Sequence, residues 1–380
     1  MRSHRHVQVG AFMAVAVAAQ LLAVYSGKAF LLTQLTMSAY YTLAVIALSL
    51  LMGHAGQISL GHAGFFAVGG YTSAVLTTLD LSPRRNEEIV GVLARVGVLV
   101  ERAELYGGQV LVVHPWVAFL CAVALSVTLA FAVGIPVMKL KGHYLAMATL
   151  GVGTIIFSVA LGTTWLGAAD GISGVPAFPL LRNLGVAGGA SERVANYYVA
   201  FGLLALGMLL LLNLVQSRTG RALRAIHGAE DAASAMGIDV ASLKLRTFVL
   251  SAALAAVAGV FLTHLNGGIG PSEASIMKSV KYVAIVAVGG MGSLWGTLGT
   301  SLALSFFSLR GWFGAFDDAV FGLILVAVML FAPDGVLTLL PARAAASRSR
   351  RTRAAPAPEG DGGYELPVAL AGQRPGEEGR

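Results

Sequence analysis

The feature that most constrains the fold of this chain is a succession of apolar runs, each about long enough to cross a lipid bilayer. A membrane-spanning helix needs roughly 20 mostly apolar residues to cross about 30 Å of hydrocarbon. Runs of this kind cover residues 9–26, 29–51, 57–79, 112–136, 143–166, 194–215, 247–267 and 315–332. The sequence therefore predicts an all-α, polytopic integral membrane protein with about eight transmembrane helices.

The overall composition supports a membrane location. Of the 380 residues, 56% are hydrophobic and 12% are charged, whereas soluble proteins carry about 25% charged residues. Cys121 is the only cysteine, so a secreted module held together by disulfides is excluded. The net charge of +7 does not require nucleic acid, because basic loops facing the cytoplasm explain it.

A further apolar stretch, residues 282–307, is interrupted by five glycines: Gly289, Gly290, Gly292, Gly296 and Gly299. We predict a broken, re-entrant pair of half-helices that enters and leaves on the outer face. Irregular backbone is tolerated at membrane depth only where protein or a water-filled cavity surrounds it. The number of crossings is then even, and both termini lie in the cytoplasm together with most basic residues. The basic residues that define this side are Arg2, Arg5, Lys139, Lys141, Arg218, Arg221, Arg224, Lys244 and Arg246.

The sequence divides into a transmembrane domain, residues 1–341, and a tail, residues 342–380. The tail is rich in Arg and Pro and has almost no large apolar side chains, so we predict that it is a disordered cytoplasmic segment. Within the transmembrane domain, residues 80–111 form an extracytoplasmic excursion. Residues 217–246 form a cytoplasmic loop.

The predicted spans contain no acidic residue at their centres, although the chain has 19 Asp and Glu residues. Proton-coupled carriers keep titratable groups at membrane depth, so an uncharged interior argues against a self-sufficient secondary carrier. No G-x-x-x-x-G-K-[ST], H-E-x-x-H or G-x-S-x-G motif occurs. We expect no catalytic residue, no metal site and no cofactor in this chain, and any energy for transport must come from a partner.

Two glycine-rich segments, 53–71 and 288–299, share the pattern G-x-x-S-L. Interrupted apolar segments in corresponding places of two halves point to a translocation path built from discontinuous helices. The alternative is that the glycines only let helices pack closely, and the pattern does not choose between the two. The candidate path residues are Gly56, Ser59, Gly61, His62, Gly64, Tyr71, Gly290, Gly292 and Ser293.

A stripe of small residues occupies one face of the span at 247–267. Ser251, Ala255 and Gly259 recur at intervals of four residues, which places them on one helix face. Small residues let two helix backbones approach closely. We therefore predict that this face contacts another helix.

The loop at 217–246 is predicted to hold two short helices. The first carries Arg221 and Arg224 on one face and ends at Gly228, and the second begins at Glu230 and Asp231 and ends at Gly237. We predict that the pair is a docking surface for a partner; helices resting on lipid are the alternative. The residues assigned to this surface are Arg221, Arg224, Glu230, Asp231, Ala232, Ala233 and Gly237.

Four segments, taken in order, resemble the LivM and LivH permeases of branched-chain amino acid ABC importers, most closely the LivM type. They are residues 53–71, 140–151, 220–239 and 286–299. In this resemblance Glu230, Ala232, Ala233 and Gly237 match positions of the motif by which importer permeases bind their ATPases. The resemblance implies a bacterial plasma membrane protein. It also implies three kinds of partner: a second, LivH-like permease, two ATPase subunits that bind the ATP, and an extracytoplasmic binding protein.

The sequence thus favours a permease subunit of an ATP-driven importer for leucine-like amino acids. An alternative of the same architecture transports another small solute, such as urea, short amides or aromatic acids. A secondary carrier and a membrane-bound transferase are further alternatives. The uncharged interior disfavours the carrier, and the lack of a carboxylate beside His143, Lys139 and Lys141 disfavours the transferase.

Overall fold

Helices make up most of the part of the chain that this computed structural model describes, residues 2–85, 87–103, 109–140, 142–181 and 184–331. The predictions made for the tail at 342–380 lie outside the described residues. The helices are α1 (Arg2–Tyr25), α2 (Phe30–Ala55), α3 (His62–Thr78), α4 (Glu88–Arg95), α5 (Pro115–Val137), α6 (His143–Gly162), α7 (Arg193–Gln216), α8 (Arg218–Gly228), α9 (Glu230–Ala235), α10 (Val240–Asn266), α11 (Ile276–Gly289), α12 (Leu294–Leu309) and α13 (Asp317–Phe331).

In the described residues, short strands lie in the connections between helices. They form antiparallel pairs in which β1 (Leu99–Ala103) joins β2 (Gln109–Val113), β3 (Ile172–Ser173) joins β6 (Gly268–Ile269), and β4 (Phe178–Leu181) joins β5 (Leu184–Val186). Each pair is too short to form a sheet with its own core. The fold is therefore all-α, as the sequence predicts.

Six helices in the described residues are long and apolar enough to cross a membrane: α1, α2, α5, α6, α7 and α10. The chain is a multi-pass membrane protein, but the predicted count of eight spans is not confirmed. The span predicted at 57–79 becomes the 17-residue helix α3, because Gly56 ends α2 with a left-handed φ of 67° and the chain is not helical again until His62. The helix expected at 315–332 is α13, with 15 residues.

Helix α2 lies at the centre of the bundle. Of its apolar window, 89% is buried, compared with 22% for α1 and for α6. It packs against α7, α10 and α12, and Tyr40 of α2 stacks on Phe261 of α10 with ring centroids 6.1 Å apart. An apolar helix surrounded by others in this way has no preferred lipid face, which explains its lack of amphipathic periodicity.

The connections lie at two ends of the bundle, which we call the α8 end and the β end. At the α8 end, Gln57 Nε2 lies 3.0 Å from Met138 Sδ, and Gly56 lies against His227 of α8. At the β end are the three strand pairs, joined by contacts such as the 2.8 Å hydrogen bond from Trp116 Nε1 to the Pro179 carbonyl. Lys139, Arg221 and Arg224 thus belong to one end, as the charge pattern indicates.

Helices α11 and α12 form an antiparallel hairpin. Its turn, residues 290–293, lies at the α8 end, where the Met291 carbonyl packs on Gly53. The beginning of α11 and the end of α12 lie at the β end. Strand β6 directly precedes α11. Arg310, which follows α12, lies 5.0 Å from the ring centroid of Phe30 at the start of α2. The hairpin therefore begins and ends at the β end, and its turn lies at the α8 end, whereas the sequence predicts a re-entrant pair of half-helices.

The excursion at 80–111 is a small αββ unit at the β end, which the sequence did not resolve into elements. Helix α4 packs on the β1–β2 pair through Val90, Leu99 and Leu111. Arg85 and Glu101 form an ion pair at 2.8 Å. The unit joins the rest of the β end through Arg102, whose Nη1 donates to the Gly174 carbonyl at 3.1 Å.

Candidate functional site

The first glycine-rich segment forms the break between α2 and α3, and it is built around a fully buried histidine. His62 Nδ1 lies 3.0 Å from Ser59 Oγ, and His62 Nε2 lies 2.6 Å from Ser251 Oγ of α10. Both ring nitrogens therefore have partners. His62 connects the break to α10, and no ring nitrogen remains to bind a solute in this conformation.

The small-residue stripe of α10 faces α3, as predicted. A Cβ on Gly259 would overlap the Phe66 carbonyl, and a Cβ on Gly69 would lie 2.6 Å from Ala256 Cα. Because the neighbouring atoms belong to the backbone, they cannot move aside. The glycines of this interface hence serve close helix packing.

Other glycines of the first segment lie against α6. A Cβ on Gly61 would lie 2.5 Å from the Thr149 carbonyl, and one on Gly64 would lie 2.9 Å from Ile156 Cδ1. The Leu60 amide donates to Thr149 Oγ1 at 3.1 Å. Gly61 and Gly64, two of the candidate path residues, are therefore in close packing contact with α6.

The second glycine-rich segment forms the turn of the α11–α12 hairpin. Gly290 has a φ of 90°, which only glycine adopts readily. Ser293 caps α12, since its Oγ accepts from the Gly296 amide at 3.0 Å. A Cβ on Gly292 would meet no atom within 4 Å. The structure brings this turn together with the end of α2 at Gly53, so the two glycine-rich segments meet at the α8 end.

Tyr71 lies apart from the other candidate path residues. It is buried with Ala274 and Ile269 in a cluster toward the β end. Its hydroxyl has no hydrogen-bond partner among the described residues. The candidate path residues therefore divide into a group at the α8 end and one residue nearer the β end.

The loop at 217–246 contains the two predicted short helices, α8 and α9. Their inner sides are Leu223, Ile226 and Ala233, which are 0%, 3% and 4% exposed. Gly237 follows α9 with a φ of 82°, which is the left-handed conformation typical of helix ends. Of the residues assigned to the docking surface, those that are exposed are Arg221, Arg224, Asp231, Ala232 and Gly237. Met236 beside them is also exposed.

An ion pair that the sequence did not predict fixes α9 to α10. Lys244 Nζ lies 2.6 Å from Glu230 Oε2, and the Lys244 side chain is only 6% exposed. Glu230, assigned to the docking surface, therefore also anchors it. The spacing of 14 residues spans two helices and a turn, so no local pattern reveals the pair.

The loop contacts the first glycine-rich segment directly. A Cβ added to Gly56 would lie 2.9 Å from His227 Nδ1 and 3.5 Å from His227 Cα. Gly56 is also the residue that ends α2. A movement of α8 would therefore reach the break between α2 and α3 without an intermediate side chain.

The structure contains a partly buried charged cluster that the sequence did not predict, and its charged residues lie outside the predicted spans. Lys278 Nζ lies 2.6 Å from Glu273 Oε2, and the two side chains are 23% and 15% exposed. Tyr41, inside α2, donates its hydroxyl to Glu273 Oε1 at 3.0 Å and accepts from Lys278 Nζ at 2.9 Å. The cluster forms because the 3-10 turn Pro271–Ala274 packs against α3 and α6, while α11 packs against α2.

A second ion-pair group links α11 to α13. Lys281 Nζ pairs with Asp317 and Asp318, and Ser308 donates to Asp317 Oδ2 at 2.9 Å. The sequence places Asp317 and Asp318 at the end of the last predicted span. For the Glu273–Lys278 pair the sequence did contain a signal: Lys278 stands at the start of an apolar helix, and Glu273 precedes it by five positions.

A cleft of about 300 Å³ opens beside Glu273 at the β end. Its mouth carries the exposed side chains of Asp170, Ser173 and Asn266, and its floor is formed by the buried side chains of Phe66 and Leu262. Small-molecule sites have volumes from about 300 Å³ and combine apolar walls with a few polar groups. The cleft has the size and the mixed lining of a site for a small solute.

Comparison with known proteins identifies relatives over most of the chain. Residues 30–333 match the family model described as branched-chain amino acid transport system / permease component. The high-affinity branched-chain amino acid transport system permease protein LivM of Salmonella typhimurium is 29% identical over 325 residues, which cover 80% of this chain and 69% of the relative. No solved structure matches significantly.

Shorter relatives match over nearly their whole length. The permease protein BraD of Pseudomonas aeruginosa is 26% identical over 321 residues, 81% of this chain and 94% of the relative. The permease protein LivH of Escherichia coli is 27% identical over 318 residues, 80% of this chain and 92% of the relative. Both are named as parts of high-affinity branched-chain amino acid transport systems.

Proposed function

This chain belongs to the family of branched-chain amino acid transport system permease components, and from that premise we propose that it is the transmembrane permease subunit of an ATP-driven importer for leucine-, isoleucine- and valine-type amino acids. The observation that carries the proposal is the family match over residues 30–333. The match covers the whole described bundle from α2 to α13, including both glycine-rich segments and the α8–α9 loop.

The α8–α9 loop is the proposed docking surface for the ATPases. Its buried side, Leu223, Ile226 and Ala233, packs on the bundle, while Ala232 and the 84% exposed Met236 face outward. A small apolar surface with charged residues around it suits a groove in a protein better than free water. ATP is bound by the partner subunits, and this chain supplies no catalytic residue.

Transmission of ATP-driven movement passes from α8 to the break between α2 and α3. His227 of α8 packs on Gly56, and the break adjoins the 290–293 turn through Gly53. Both glycine-rich segments lie within one or two contacts of the docking surface. Access at the α8 end therefore changes when α8 moves.

The complete importer contains a second, LivH-like permease, two ATPase subunits and an extracytoplasmic binding protein in a bacterial plasma membrane. The α8 end and both termini face the cytoplasm, and the β end receives the binding protein. The clustering of Lys139, Arg221 and Arg224 at the α8 end supports this orientation, because cytoplasmic loops carry an excess of basic residues.

The test is reconstitution of the five components in liposomes with radiolabelled leucine. We expect uptake that requires ATP, requires both ATPases and continues when an ionophore removes the proton gradient. Uptake that persists without ATPases but stops with the ionophore contradicts the proposal and indicates a secondary carrier. Uptake of urea or an aromatic acid in place of leucine contradicts the substrate assignment.

A further inference from the structure

The charged cluster of Glu273, Lys278 and Tyr41 has no evident role in holding the fold together. A buried ion pair contributes little net stability, because desolvation of both charges offsets their attraction. Apolar residues of similar volume would hold α11 against α2 at least as well. Charged residues kept inside a membrane bundle mark functional sites more often than structural ones.

The cluster retains unused hydrogen-bonding capacity. The hydroxyls of Tyr71 and Tyr282 are buried and have no hydrogen-bond partner among the described residues, and both rings lie within electrostatic range of the Glu273 carboxylate. Tyr282 is 3% exposed. A buried hydroxyl without a partner costs free energy, so the surroundings of Glu273 are not optimised for stability alone.

Glu273 belongs both to the cluster and to the wall of the cleft of about 300 Å³ at the β end. The cleft is lined by two carboxylates: Asp170 at its exposed mouth, and Glu273 beside the apolar side chains of Phe66 and Leu262. Lys278 lies on the other side of that carboxylate, 2.6 Å away. The carboxylate of Glu273, which lines the cleft, and the ammonium group of Lys278 behind it thus lie beside the apolar surface of Phe66 and Leu262.

We propose that this cleft is a transient binding site for an α-amino acid zwitterion with an apolar side chain. The ammonium group of the amino acid takes the place of the Lys278 ammonium at Glu273. The released Lys278 then donates to the carboxylate of the amino acid, and the apolar side chain rests on Phe66 and Leu262. This inference rests on the proposed function and names the residues of this chain that receive the cargo at the β end.

Charge balance makes the exchange selective. Before and after binding, every charge of Glu273, Lys278 and the solute has a partner of opposite sign. A solute with only an ammonium group would leave Lys278 unpaired, and a solute with only a carboxylate would leave Glu273 unpaired. An unpaired charge in a partly buried site is unfavourable, so the site prefers zwitterions to simple amines and to aromatic acids. Urea and amides carry no ammonium group that could take the place of Lys278 at Glu273.

The experiment compares Glu273→Gln with the wild-type complex in the reconstituted liposomes. Glutamine keeps the shape of the side chain but cannot pair with an ammonium group. Because a hydrogen bond to a charged group is lost, we expect leucine uptake per assembled complex to fall at least about tenfold. The matched control is Asp318→Asn. Asp318 also pairs with a lysine of α11, at 2.7 Å, but is 57% exposed and outside the cleft, so its uptake should stay within about twofold.

Assembly, measured by gel filtration, and ATPase activity separate binding from folding. Loss of uptake in the Glu273→Gln complex with normal assembly supports the site; normal uptake per assembled complex overturns it. If Glu273→Gln does not assemble, Glu273→Asp decides, because it keeps the charge but withdraws the carboxylate. A raised KM for leucine then supports the site, and an unchanged KM overturns it. A wild-type complex that imports no zwitterion contradicts the proposed function as well.

Discussion

At the scale of single residues, the glycines of α3 and α10 act as contact points between backbones. A Cβ on Gly259 would overlap the Phe66 carbonyl and lie 3.3 Å from the Gly70 amide nitrogen. The reciprocal positions Gly69 and Gly70 are equally crowded. Serine and histidine side chains then cross the same interface, as in the 2.8 Å contact of Ser73 Oγ with His264 Nε2. Close approach and polar bonds together make α3 and α10 one rigid pair.

The first prediction tests this packing. Gly259→Ala should destabilise the protein by about 1–3 kcal/mol, because extra volume in a packed interface forces the backbones apart. The matched control is Gly202→Ala in α7, where a Cβ would meet no atom within 4 Å and alanine favours the helix by up to about 1 kcal/mol. Thermal unfolding in detergent micelles measures both. Equal melting temperatures for the two variants would show that Gly259 and the Phe66 carbonyl are not in tight contact.

At the scale of elements, the important contact is that of α8 with the end of α2. The buried residues Leu223 and Ile226 fix α8 on the bundle, and Lys244 fixes α9 through Glu230. The short helices therefore move with the ends of α2 and α10, not separately from them. This rigid connection is what a coupling element requires, since movement at its outer surface must reach the membrane helices.

The second prediction concerns Gly56→Ala. The substitution strains a left-handed residue with φ 67° and pushes on His227. We expect the ATPases to bind normally but ATP-driven uptake to fall roughly 2- to 30-fold, the range that changes along a coupling network produce. Gly27→Ala is the control, because Gly27 has a φ of 68° but open space around it. If both variants transport equally, strain alone explains the effect and His227 does not transmit movement.

At the scale of the whole molecule, the bundle has two chemically different ends. The α8 end carries the short helices, the 290–293 turn and Lys139, whereas the β end carries the strand pairs, the αββ unit and the cleft beside Glu273. The proposed importer needs such a difference, because in that proposal a receptor delivers cargo on one side and ATPases act on the other. The α11–α12 hairpin joins the two ends, with the charged cluster near one and the glycine turn at the other.

The third prediction tests orientation. In a Cys121→Ser background, which removes the only cysteine, Glu88→Cys and Lys139→Cys place single thiols on exposed residues of the two ends. A membrane-impermeant maleimide applied to intact cells, or to spheroplasts where an outer membrane blocks it, should label position 88 and not 139. In permeabilised cells, the maleimide should label both positions. Labelling of position 139 in intact spheroplasts would reverse the proposed orientation.

The membrane class, the interruption of the first glycine-rich segment and the two helices of the loop follow from local patterns in the sequence. Apolar length, glycine and the acidic start of α9 act over one or a few turns, so their effects do not depend on distant residues. The sequence also predicts that a helix contacts the stripe of Ser251, Ala255 and Gly259. It does not predict that this helix is α3. The number of complete spans could not be predicted as well, because residues 57–61 at the start of the span predicted at 57–79 are not helical.

The sequence by itself therefore determined a helical membrane protein with glycine breaks and a loop of two short helices, since hydrophobicity and backbone conformation are properties of neighbouring residues. Only the tertiary structure placed Glu273 and Lys278 beside Tyr41, more than 230 residues away in the chain. The same holds for the pairing of Glu230 with Lys244 and of Gly56 with His227. Where a charge or a backbone carbonyl finds its partner depends on how helices pack, and no local pattern specifies that packing.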